Sequence, residues 1–424
     1  MLNFKKNTLL ILSLSLFTSL NILGQAAQTP FSYLGIGEYY GNALAHNQGM
    51  AGVGISNPQY FYINNQNPAL LVFNRFTSFE AGFIGERRTV KGNGVSETNG
   101  DANLNYLIMG FPIKVGRWST SIGLAPYTSV NYRLNYIDSI QGSINTVNVI
   151  ETGSGGFNQF AWSHGVSLHK NLSIGVKAAY LFSSIENQYS NSLTQSAQAA
   201  TYYPSVYERT YVKDFVFTSG LSYRVDSLFN KNYKLNLGVV YDFRANLKTQ
   251  YTARFEQRNA VDTLFSTSVA NNEPGSINLP AKVAFGLSFS KGDHWIIGSD
   301  FVLLDYTKFS GREVSQQATK GWKLALGTEF TPDVVALGSY LKRITYRTGV
   351  SYDKYPYLIN GVPLKDFGIN FGFSMPVSRV SSIDFAFKVG KRGNVKDNTI
   401  EENYFKLYFG ATFNDQWFVR RRFD

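Results

Sequence analysis

The chain contains no cysteine among its 424 residues. That excludes a disulfide framework, a thiolate metal site and a lipid-modified cysteine. Charged residues are scarce at 16%. After the first 25 residues no stretch approaches the roughly 18 to 20 apolar residues that a spanning helix needs. The four histidines, His46, His164, His169 and His294, lie on separate segments without metal-ligand spacing. There is no G-x-S-x-G element, since Ser154-Gly155-Gly156 lacks that context, and Gly35-Ile36-Gly37 lacks the third glycine of a dinucleotide fingerprint. No cofactor, no metal and no catalytic residue is therefore expected, and the protein reads as a non-enzyme.

What is abundant is aromatic residues, 15%, together with 38 glycines. That mixture suits a large β-protein with many turns and an apolar outer surface. The formal charge is +11, but Lys and Arg are scattered until the last few residues. No nucleic-acid partner is expected from such a distribution. Residues 1–25 have the order of a secretory leader: Lys5-Lys6, an apolar run from Thr8 to Leu23, then small residues from Gly24 to Ala27. An exported chain without a later apolar run must cross any membrane with strands.

From Phe76 onward the pattern alternates with period two. In Leu364–Met375, Phe367, Ile369, Phe371, Phe373 and Met375 share one face, while Gly368, Asn370, Gly372 and Ser374 take the other. Fourteen such segments, each about ten residues or longer, match the span of lipid-crossing strands. The predicted fold is all-β: a 14-stranded antiparallel transmembrane β-barrel with an N-terminal hatch, or plug, inside the bore. Connections alternate between short turns and longer stretches such as Lys91–Ala102 and Ala245–Ile277. Long loops outside and short turns in the periplasm are the habit of outer-membrane barrels of Gram-negative envelopes. Thr331–Arg343 breaks the rhythm, being long on the short-turn side.

A glycine falls on the polar face of every candidate strand, from Gly82 to Gly410. Two compatible readings are relief of barrel curvature and room for another backbone. The candidate for that backbone is Gln48–Leu71, which has neither helical spacing nor clean alternation. Its expected hatch residues are Gly49, Met50, Gly52, Gly54, Asn67, Pro68 and Ala69. Glu80, Glu86, Asp300 and Glu329 are expected to face the lumen and pair with cations such as Lys177, Lys323, Arg347 or Lys388. The inward faces otherwise read as small and polar, without an apolar pocket.

The resulting organisation is a signal peptide over 1–25, a hatch segment over 26–75, a barrel over 76–414 and a periplasmic tail over 415–424. In the tail, Trp417, Phe418, Arg420, Arg421 and Arg422 form an aromatic and basic group suited to lipid headgroups or to a partner protein.

The run Gly49-Met50-Ala51-Gly52-Val53-Gly54, followed by Asn67-Pro68-Ala69-Leu70, resembles the long-chain fatty-acid transporter (FadL-like) outer-membrane barrels. Leu279-Pro280-Ala281-Lys282-Val283 and Tyr346–Asp353 agree with that likeness. PorV-type barrels of protein secretion share the same features. The resemblance implies fourteen strands, an internal hatch containing Asn67, Pro68 and Ala69, and lateral passage of hydrophobic or amphipathic small molecules into the outer-membrane bilayer. Its alternative implication is a non-transporting accessory subunit of a protein secretion or outer-membrane assembly complex.

Overall fold

The computed structural model describes residues 26–92, 94–140, 142–193, 202–227, 232–259, 262–292, 294–311 and 318–416. The expected leader, and Trp417, Phe418 and Arg420 to Arg422 of the expected tail, lie outside the described residues.

A two-residue strand, β1 (Glu38–Tyr39), precedes a wall built from β2 (Thr77–Gly92), β3 (Val95–Lys114), β4 (Trp118–Pro126), β5 (Thr128–Ser139), β6 (Thr146–His169), β7 (Leu172–Leu193), β8 (Tyr203–Asp226) and β9 (Tyr233–Asp242). It continues through β10 (Ala245–Arg258), β11 (Thr263–Leu279), β12 (Lys282–Lys291), β13 (Trp295–Asp305), β14 (Lys320–Phe330), β15 (Thr345–Ile359), β16 (Val362–Pro376), β17 (Ser382–Gly393) and β18 (Ile400–Asp415). Three neighbouring pairs, β4/β5, β9/β10 and β11/β12, are single wall strands interrupted by one or two residues, so the wall has 14 strands. All wall pairings are antiparallel, and β18 pairs with β2 from Asp415↔Thr77 to Ile400↔Gly92, which closes the barrel.

The alternation explains the closure. Outward side chains such as Phe79, Trp162, Phe217, Phe285, Phe371 and Phe413 are exposed, whereas their neighbours Ser78, Ser163, Thr218, Ala284, Asn370 and Thr412 are buried. Such an apolar outer belt can face hydrocarbon only if every backbone group finds a partner in the sheet, which a closed barrel provides. Among the described residues no helix is long and apolar enough to cross a membrane.

Several stretches expected as loops are ladder instead. Lys91–Ala102 is the tip of the β2–β3 hairpin, and Ala245–Ile277 is the β10–β11 hairpin. Polar alternation continues in them, and a ladder outside the membrane needs no apolar face to pair its backbone. The barrel is lopsided as a result: β6 and β8 have 24 residues, β13 and β14 only 11. At about 3.3 Å per residue this is about 80 Å against about 36 Å of strand.

Candidate functional site

Residues 26–76 have little regular structure, so their backbone polar groups need partners from elsewhere. Wall side chains supply them. Asp300 Oδ2 accepts from the Gly54 and Ile55 amides at 2.7 and 3.0 Å, and Glu80 Oε1 accepts from Ile63 N at 2.5 Å. Lys177 Nζ donates to Asn65 O at 3.0 Å, Asn370 Nδ2 to Gln48 O at 2.7 Å and Ser288 Oγ to Ser56 O at 2.7 Å. The segment is thus stitched to β2, β7, β12, β13 and β16 from inside.

The inward glycines give it room. Gly165, Gly175 and Gly220 lie against Asn67 and Pro68, Gly238 and Gly286 against Ile55, and Gly298 against Val53. Gly327 and Gly349 lie against Met50, Gly372 against Gly49, Gly410 against Ala45 and Gly110 against Ile63. A methyl group at Gly327 would stand 2.5 Å from Met50 O, and one at Gly298 2.7 Å from Val53 Cγ1. Gly82, Gly123 and Gly390 instead make space for Tyr106, Ile108 and Tyr404 of the wall itself. The belt sits near the short-turn end of the strands, as Gly110 does in β3 and Gly298 in β13.

Each expected hatch residue has a definite place. Gly49 touches Arg347 Cβ and Gly372 Cα, and Met50 is fully buried. Gly52 has φ +85°, a conformation that suits glycine, and its carbonyl accepts from Gln66 Nε2 at 3.0 Å. Gly54 donates to Asp300 and packs on Gln66. Asn67 caps the turn Pro68–Phe73 by accepting from Ala69 N at 3.0 Å, and its Nδ2 reaches Ile55 O at 2.8 Å. Pro68 and Ala69 are buried at the glycines of β6 and β7.

Of the carboxylates expected in the lumen, Glu329 pairs with Arg347 at 2.6 Å, while Glu80 and Asp300 serve backbone amides as described. Arg347 also donates to Ser374, which bonds Asp384, and Tyr62 Oη donates to Asp384 at 3.0 Å. Glu86 joins a larger cluster that the sequence reading did not assemble. Arg88 bonds Glu38, Glu86 and Glu402 at 2.8, 2.7 and 2.7 Å. Arg392 bonds Glu38 and Asp366 at 2.8 and 2.9 Å, and Lys406 reaches Glu86 at 2.9 Å. Burial would raise the pKa of Glu38, but Arg392, Arg88 and Lys406 hold it well below the usual carboxylate range. The signal was present: Arg88, Asp366, Arg392 and Glu402 are in phase with the inward glycines of their strands.

Residues within 31–43 and 48–66 of the segment, together with the wall, line a cavity of about 320 Å³. Its walls include Leu34, Val216, Val240, Leu279, Val302 and Tyr306, with Lys177, Asp242 and Lys282 at one side. An apolar lumenal pocket therefore exists, contrary to the small-and-polar expectation. The apolar lining comes from inward positions of β8, β9, β11 and β13, where runs such as Phe301-Val302-Leu303-Leu304 are apolar on both faces.

The cavity reaches the wall at Phe217 and Phe243, whose side chains are about half exposed on the outer surface. Here the sheet is split. Regular pairing of β8 with β9 ends at Thr218↔Asp242, one further bond runs from Phe243 N to Phe217 O at 3.0 Å, and pairing resumes with β10 at Val212↔Thr249. Across the next seam Asp242↔Lys282 is followed by Ala245↔Leu279, leaving Phe243-Arg244 opposite Pro280-Ala281 outside the ladder. Pro280 has no N–H to donate, which favours a break at that point. A second split separates β5 from β3, and β1 of the N-terminal segment pairs with β5 through Glu38↔Ser129 and Tyr39↔Thr128.

Among the described residues no group of His, Asp and Glu could hold a metal ion. Chemically the arrangement is a barrel with the N-terminal segment bonded to its inner wall, a mainly apolar chamber between segment and wall, and an interrupted ladder beside the chamber.

Solved structures of similar shape include the toluene transporter TbuX of Ralstonia pickettii, with a TM-score of 0.57 and 12% identity over 88% of this chain and 98% of that one. The toluene transporter TodX of Pseudomonas putida gives 0.56 and 14% over 89% and 100%. A Pseudomonas aeruginosa FadL homologue gives 0.55 and 12% over 88% and 98%. At these identities the likeness is one of fold, and the fold is FadL-like. No curated protein sequence matches the chain. The BamG family matches residues 4–424, nearly the whole length, and the chain belongs to that family.

Proposed function

We propose that the protein is an outer-membrane transport barrel that takes a hydrophobic or amphipathic small molecule into the lumenal chamber and passes it sideways into the bilayer. Residues 48–71 are the hatch that closes the bore. The observation that carries this reading is that the 320 Å³ chamber is lined by Phe217 and Phe243, at the point where the ladder of β8 is interrupted. Its size lies within the roughly 300–1,000 Å³ of small-molecule pockets. The likeness in fold to the toluene transporters TbuX and TodX supports the reading by analogy. Lateral release requires no cofactor, only a downhill gradient and an apolar path.

The test is binding of the fluorescent hydrophobic probe N-phenylnaphthylamine to the purified barrel. Val240 is buried against the chamber. Val240→Trp fills the space and is expected to weaken binding by about tenfold or more, equivalent to about 1.4 kcal/mol. Unchanged affinity with an intact barrel would count against the chamber as the site.

A second reading, an accessory subunit of a protein secretion or outer-membrane assembly complex, is favoured by one observation. The N-terminal segment is fixed by a buried ion network rather than loosely seated. Under this reading the barrel co-purifies with a large partner after gentle extraction of native membranes and binds no probe.

A further inference from the structure

The connection between β14 and β15 differs from the other turns on its side of the barrel. Its neck is fastened by Thr331 Oγ1 and Thr345 Oγ1 at 2.8 Å and by Asp333 N donating to Lys342 O at 2.9 Å. Within this neck the side chains point away from the protein: Val335 is 80% exposed, Leu341 64% and Leu337 fully. A constrained loop that presents three aliphatic side chains to its surroundings loses hydrophobic stabilisation unless something covers them.

The loop is also held in a particular place. Tyr346 is on the outward face of β15, and its hydroxyl donates to Leu341 O at 3.1 Å. Tyr340 Oη donates to Pro376 O, at the end of β16, at 3.0 Å. These bonds fasten the one-turn helix Tyr340–Arg343 to outward-facing Tyr346, whose ladder partner Phe330 is exposed, and to Pro376, which exposed Val377 follows. It therefore continues the lipid-facing belt. Lys342 and Arg343 are exposed, and Arg343 stacks on the Tyr340 ring at 5.1 Å.

We infer that residues 331–344 form a membrane anchor. Val335, Leu337 and Leu341 enter the headgroup–acyl boundary of the leaflet on the short-turn side, and Lys342 and Arg343 contact its anionic phosphates. An aromatic–aliphatic tip beside two cations is the composition of interfacial anchors. The inference rests on the membrane-barrel reading but not on transport.

Because the chain has no cysteine, Leu337→Cys carries a single environment-sensitive nitrobenzoxadiazole label. The experiment reconstitutes the full barrel in phosphatidylethanolamine–phosphatidylglycerol vesicles with nitroxide lipids. A label at Phe371→Cys, on the outer belt, is the reference. The expected result is a blue-shifted Leu337 label that loses most of its emission to shallow nitroxides. Lys342→Glu with Arg343→Glu should reduce that loss in vesicles with phosphatidylglycerol, but not in neutral ones. Quenching at Phe371 without quenching at Leu337 overturns the anchor and leaves the barrel reading intact. Absence of quenching at both positions removes both. Shielding of Leu337 in native membranes, but not in vesicles, assigns the loop to a protein partner and also overturns the anchor.

Discussion

Glu38 and Arg88 lie 2.8 Å apart, almost removed from solvent, and join the N-terminal strand to the first strand of the wall. Arg392 and Lys406 reach the same carboxylate from β17 and β18 at 2.8 and 3.3 Å. One side chain thus ties the internal segment to the place where the barrel closes. Breaking a buried pair by removing one partner typically costs about 3–5 kcal/mol, because the other charges stay buried. Glu38→Ala is therefore expected to free the segment around β1 while the barrel persists. Hydrogen exchange of residues 30–40 should rise by orders of magnitude, with strand amides unchanged. Equal exchange in both proteins would show that the network is not what holds the segment.

The glycine belt makes a sterically sharper prediction. A leucine at Gly327 must displace Met50, since even a Cβ there meets its carbonyl at 2.5 Å. Gly327→Leu should raise single-channel conductance in planar bilayers, in the direction expected for deletion of residues 48–71. Gly85 has open space around it, so Gly85→Ala is the control and should conduct as the parent does. A sealed Gly327→Leu barrel would mean that the segment does not stopper the bore.

How much of this was legible beforehand follows from which forces act locally. The wall was, because hydrocarbon outside and a crowded lumen inside impose a period of two that Leu364–Met375 or Tyr404–Phe413 writes directly into sequence. The belt was half legible: Gly175 and Gly327 were visible as inward glycines, but which backbone each admits depends on long-range threading. The chamber was missed because Val216, Val240 and Val302 sit on a face that reads as polar elsewhere. The Glu38 cluster was missed because its members are up to 368 positions apart, as Lys406 is from Glu38. The long connections were misjudged because a polar hairpin and a polar loop have similar composition.

His46 introduces a pH dependence. It is buried and stacked on Tyr62, with ring centroids 4.1 Å apart. Burial, reinforced by Arg347, pushes its pKa well below the ordinary 6.5. The released segment therefore binds a proton near pH 6.5 that the seated segment refuses, so the seated state loses stability as pH falls below 6.5. The slope approaches about 1.4 kcal/mol per pH unit. Glu38 adds to the same trend further down: its stabilisation is present above its ordinary 4.5 and disappears as pH falls through its depressed folded value. Exchange protection of residues 45–50 should decline between pH 6.5 and 5, and His46→Phe should flatten that decline. A pH-independent profile in the parent would remove His46 from the account.

The wall split beside the chamber is testable by sealing it. Phe243 N donates to Phe217 O at 3.0 Å, so these residues face one another across the seam between β8 and the β9/β10 strand. Neighbouring antiparallel residues at such a position lie within the roughly 4.4–6.8 Å Cα separation that a disulfide tolerates. In a chain without cysteine, Phe217→Cys with Phe243→Cys can form one bond only. If ligand leaves through this seam, the oxidised variant should still bind N-phenylnaphthylamine but release it to acceptor vesicles much more slowly, and reduction should restore the parent rate. Each single variant should resemble the parent, which separates sealing from loss of the aromatic rings. Equal release rates in oxidised and reduced protein would direct the exit elsewhere, and the split between β3 and β5, where β1 is seated, would then be the next opening to cross-link.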